Sequence, residues 1–91
     1  MGPPMSAEAF CRAMMVELED QWTRARGHQE RHPLREKMRQ LAWITERVAA
    51  GEDLDSILAR GQVGDDAMRC LVCEELEVRW EQAKAAATAR E

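Results

Sequence analysis

The chain has 91 residues, of which 45% are hydrophobic and 33% charged, and a net charge of −4. That is enough for one small domain, too apolar for disorder and too polar for a membrane protein, and the acidic balance gives no global attraction to nucleic acid or anionic lipid. Tyr is absent and Phe occurs once, while Ala, Glu, Arg, Leu and Met dominate, so an all-α fold is predicted.

Residues 1–5 contain Gly2, Pro3 and Pro4 and read as a flexible leader to a single helical domain over 6–91. Ser6 is a natural N-cap, with Glu8 placed to suit the helix dipole. Phe10, Met14, Leu18 and Trp22 recur every four residues, and with Cys11 and Met15 they fall within an arc of roughly 140°. Gly27 supplies a stop, which predicts a first helix over 6–26.

Pro33 fits the first turn of a second helix over 33–50. Its stripe is Leu34, Met38, Leu41, Thr45 and Val48, closed by Gly51. A short third helix over 53–60 carries Leu54, Ile57 and Leu58 and ends at Gly61. Residues 61–64 read as a turn, and Asp65 as the cap of a last helix over 65–88 with Met68, Val72, Leu76, Trp80 and Ala83 on one face. The architecture expected is a small bundle of three long helices and one short helix, with short connections that favour antiparallel neighbours.

Some apolar residues lie off these stripes. Leu71 and Val78, seven apart, form a second seam on the last helix, a spacing that suits helix-on-helix contact. Glu75 and Arg79 stand between the two seams as an i, i+4 pair. Val16, Ala9 and Ala13 lie away from the main face of the first helix. Trp43 falls about 180° from the centre of the second helix's stripe, flanked by Arg39, Glu46 and Arg47. Leu71 and Val78 are the candidate dimer seam. Trp43, Arg39 and Arg47 are the candidate partner face, because Trp and Arg are common interface anchors. The competing reading has other helices of the chain cover these positions, or an arginine stack on Trp43.

Candidate chemistry is sparse. Cys70 and Cys73 have the spacing of half a zinc site, and His28 and His32 that of the other half. The order is reversed from the common finger, about forty residues separate the halves, and the cysteines fall in mid-helix, so no metal or other cofactor is expected. Ser6 and Ser56, the two serines, look like helix-start residues, and 61–64 is too short for a phosphate loop. A chain of this size has little room for a core and a substrate pocket of about 300 Å³ together, so a non-enzymatic protein is predicted. A helix-turn-helix drawn over the last two helices places Asp65, Asp66, Glu74, Glu75 and Glu77 against phosphates, which argues against direct DNA binding.

Charge is unevenly placed. Residues 24–47 hold seven basic side chains against three acids, and residues 52–77 hold eight acids against two arginines. Either the two halves neutralise one another, or the acidic 52–77 surface docks on a basic partner, as an inhibitor from a phage or mobile element does. No apolar run reaches the roughly 18 residues of a membrane span. With no secretion-type leader and an odd number of cysteines, three, a reducing cytoplasmic location is expected. Eleven arginines against two lysines, with abundant alanine, fit GC-rich bacterial or phage coding. The function expected is a protein–protein interaction module, a homodimer that regulates or inhibits a macromolecular partner. The alternatives are a small zinc-binding helical domain using Cys70 and Cys73 with His28 and His32, and a phage- or mobile-element-encoded inhibitor using the acidic 52–77 surface.

Overall fold

A computed structural model describes residues 6–61 and 72–89. They form four helices: α1 (Ala7–Arg24), α2 (His28–Ala49), α3 (Leu54–Arg60) and α4 (Cys73–Ala89), with no strand among the described residues. The all-α class follows the sequence. The expected Asp65 cap, Met68 and Leu71 fall on residues 62–71, outside the described residues, but Val72 is a turn residue and α4 begins at Cys73, which corrects the expectation of one helix over 65–88 and of Cys73 in mid-helix.

Ser6 starts α1 as predicted, its hydroxyl accepting the Ala9 N–H at 3.1 Å. The helix stops at Arg24, where Ala25 becomes extended and donates its N–H to the Trp22 carbonyl at 3.2 Å. Gly27 then adopts φ +85°, which disfavours any residue with a β-carbon. It is the cap that begins α2, not only the stop of α1. The second helix therefore starts at His28, and Pro33 lies inside it rather than at its first position. That start corrects the expectation of 33–50. The proline removes one N–H, the partner of the Gln29 carbonyl, and Gln29 is exposed, where water replaces the bond.

At the far end of α2, Gly51 at φ +103° sends its N–H to Val48 O at 3.0 Å, and Glu52 sends its N–H to Arg47 O at 3.1 Å. This is a Schellman ending, and it satisfies two otherwise unpaired carbonyls. Asp53 caps α3 by accepting the Ser56 N–H at 3.1 Å, and Gly61 ends it in the left-handed region.

The connection at residues 25–27 folds α2 back antiparallel to α1, bringing the Thr45 hydroxyl against the Cys11 thiol. Helix α4 lies against both. Its Trp80 ring is 5.0 Å from Phe10 of α1, and the Val72 N–H donates to Gln40 Oε1 of α2 at 3.3 Å. Phe10, Cys11, Met14 and Leu18 of α1 meet Leu41, Ile44 and Val48 of α2 in the core. Leu54, Ile57 and Leu58 of α3, with Val72, Cys73, Leu76 and Trp80, complete it.

The buried face of α2 matches the predicted stripe only in part, sharing Leu41 and Val48 with it. Ile44 and Gln40 are buried, whereas Leu34, Met38 and Thr45 are only partly so. The face is turned by roughly 65° from the one read in the sequence. The physical reason is that α2 has two neighbours, α1 on the Thr45 side and α4 on the Gln40 side, so the covered arc is centred between them.

Candidate functional site

The rotation of α2 moves Trp43. It lies about 115° from the centre of the buried face rather than opposite it, and it is partly buried and packed on the core. The Arg47 guanidinium stands 5.7 Å over its ring and also pairs with Glu52, the residue that follows the Gly51 turn. Arg39 is exposed and binds Glu36 at 2.7 Å, and this hydrogen bond holds the Glu36 carboxyl below its ordinary value. Trp43, Arg39 and Arg47 thus share one side of α2, with Trp43 partly buried and both arginine side chains at the surface.

On α4, Val78 is 57% exposed and lies roughly opposite the Val72–Leu76–Trp80 face. Val16 of α1, 64% exposed, is likewise directed away from the core. Leu71, the other half of the expected seam, lies outside the described residues. Glu75 and Arg79 do not pair with each other as expected. Glu75 accepts from Lys37 of α2 at 3.3 Å, and Arg79 reaches Glu17 of α1 at 2.8 Å. Both side chains emerge at the edges of α4 facing neighbouring helices, so a cross-helix partner is as near as the i, i+4 one.

Four acids of the 52–77 block are engaged within the chain. Glu52 meets Arg47 and Arg60, Asp53 caps α3, Asp55 accepts from Lys84 at 2.8 Å, and Glu75 meets Lys37. Lys84 also lies 5.6 Å over the Trp80 ring. The Lys84 hydrogen bond keeps the Asp55 carboxyl below its ordinary value.

The remaining candidates are dispersed. His28 and His32 are exposed on the first turns of α2, with ring centroids 5.7 Å apart. Cys73 is buried in the core, and Cys70 lies outside the described residues. Among the described residues no three His, Cys, Asp or Glu side chains converge as a metal site. Burial pushes the Cys11 thiol above its ordinary value, which disfavours a reactive thiolate. Ser6 and Ser56 take part in helix capping.

Sequence reasoning missed one feature. At the α1–α2 turn, Trp22, Gly27, His28, Arg31, His32 and Arg35 line a recess of about 260 Å³. Its signal was the basic block over 24–47, but spacing alone does not separate paired cations from unpaired ones.

Among the described residues no helix is long and apolar enough to cross a membrane. Comparison with known proteins gives no match to a family model, a curated protein or a solved structure.

Proposed function

We propose that this chain is a non-enzymatic protein–protein interaction module, a homodimer that regulates or inhibits a macromolecular partner. The observation that carries the reading is Val78, 57% exposed on the outer side of α4, whose inner side is already filled by Val72, Cys73, Leu76 and Trp80. A helix with its core face satisfied and an apolar residue presented outward has a second surface to bury. In the sequence Leu71 stands seven residues before Val78, outside the described residues, and it is the second residue of the proposed seam. Trp43, with Arg39 and Arg47 beside it, supports a separate face for the partner, since Trp and Arg dominate binding hot spots.

Light scattering at micromolar concentration tests the dimer. The wild-type chain should give twice the monomer mass, and Val78→Lys the monomer mass with unchanged helix content. A monomeric wild type at high concentration removes the dimer. Trp43→Ala tests the partner face: it should keep its helical circular dichroism and lose partner capture from the native host. If it unfolds instead, Trp43 serves the core alone.

A further inference from the structure

Among the described residues positive charge is mostly spent internally, and the exceptions lie on either side of one turn. Arg12, Arg24, Lys37, Arg39, Arg47, Arg60, Arg79 and Lys84 each have a carboxylate partner within 4.0 Å. Arg26, Arg31 and Arg35 make no ion pair with a described residue, and all three flank the α1–α2 turn. Arg31 and Arg35 line the recess of about 260 Å³ together with His28 and His32. Of the acids close by, Glu30 accepts the Arg26 backbone N–H and Glu36 binds Arg39, its carboxylate also feeling the charges of His32 and Arg35. The first turn of α2 also begins at Gly27 without a side-chain cap, and Gly27 and His28 are part of the recess wall.

We propose that this recess binds a phosphate dianion, either free or as the phosphoryl group of a small monoester. Arg31 and Arg35 are one helical turn apart, as are His28 and His32, so both pairs share neighbouring sides of α2. Guanidinium forks match the oxygens of phosphate, and the N-terminal turn of a helix adds partial positive charge in the same direction. Two observations set the size and class of ligand. The recess is below the roughly 300–1,000 Å³ of pockets that enclose drug-sized ligands, so it holds an anionic group rather than a whole cofactor. Arg31 stands 5.3 Å over the Trp22 ring, leaving that face covered where a nucleobase would otherwise stack. The net charge of −4 further disfavours a polyanion such as RNA and leaves a small ligand favoured. The site is independent of the dimer seam and stands whether or not the chain associates.

The test is a nuclear magnetic resonance titration of the full chain at neutral pH and constant ionic strength. It follows the ring protons of His28 and His32 and the indole N–H of Trp22. Sodium phosphate should move these signals along a saturating curve, and sodium chloride should not. Glycerol phosphate forms the second arm: binding tighter than free phosphate identifies a monoester as the ligand, and weaker binding identifies the free anion. The double variant Arg31→Gln, Arg35→Gln should bind at least about tenfold more weakly, the loss expected for hydrogen bonds to a charged group. Arg12→Gln, at the other end of α1, should bind as wild type does. Shifts that do not saturate, that chloride reproduces, or that persist unchanged in the double variant would overturn the proposal.

Discussion

Gln40 is the buried polar residue whose role depends most on its surroundings. It is 2% exposed in an otherwise apolar patch of α2, and its carbonyl oxygen accepts the Val72 N–H where α4 begins. Removing that acceptor leaves a buried amide without its partner, a cost of about 1–3 kcal/mol. Gln40→Leu should therefore lower stability by that amount in urea unfolding, although leucine is the more apolar residue. A gain in stability would show that water reaches the Val72 amide. Cys11 illustrates the opposite case: it is fully buried but behaves as a small apolar filler beside the Thr45 side chain, whose hydroxyl donates to the Leu41 carbonyl at 2.7 Å.

At the scale of elements, α3 is the least self-sufficient piece. Seven residues cannot hold a helix in water, because nucleation is costly and short helices rely on packing and caps. Leu54, Ile57 and Leu58 supply the packing, and Asp53 and Gly61 the two ends. Asp53→Ala should cost about 0.5–2 kcal/mol, read as a lower urea midpoint, with the Ile57 amide among the first to lose hydrogen-exchange protection. Helix α2 shows how far an element tolerates a local defect. Pro33 was expected to mark its beginning and instead sits in its second turn, because Gly27 had already provided the break and the bond lost lies on an exposed side.

For the whole molecule, charge works as a set of clasps between helices. Glu17–Arg79, Lys37–Glu75 and Asp55–Lys84 tie α4 to α1, α2 and α3 in turn. Lys37–Glu75 is part-buried and the other two are exposed, and such surface pairs are individually weak and screened by salt. Their pH dependence has a definite sign. Asp55 and Glu36 titrate below their ordinary range in the folded chain, so what they contribute is present above the unfolded carboxylate pKa of about 4 and is lost as pH falls through the lowered values. Lys84 is raised by Asp55 and Glu81, so its contribution is present below the unfolded amine pKa of about 10.4 and is lost as pH rises through the raised value. Urea midpoints should be flat near neutrality and decline in acid. In Asp55→Asn the acid decline should be shallower, and an unchanged slope would show that the Lys84 clasp contributes nothing to folding.

Several properties were determined by the sequence alone. The helical class, the Ser6 cap, the breaks at Gly27, Gly51 and Gly61, and the buried runs of α1 and α4 are encoded within a few residues of where they act. A 3.6-residue period and a capping side chain need no distant partner to be legible. Tertiary structure decided which arc of α2 is covered, because that depends on α1 and α4 packing on it together. The same packing drew Ile44 and Gln40 inward and brought Trp43 part-way into the core. It also sent Glu75 and Arg79 to separate helices and left Arg31 and Arg35 beside a recess with no ion pair to a described residue. Each of these depends on where neighbouring helices come to lie, and that information is not contained in the spacing of residues along any one of them.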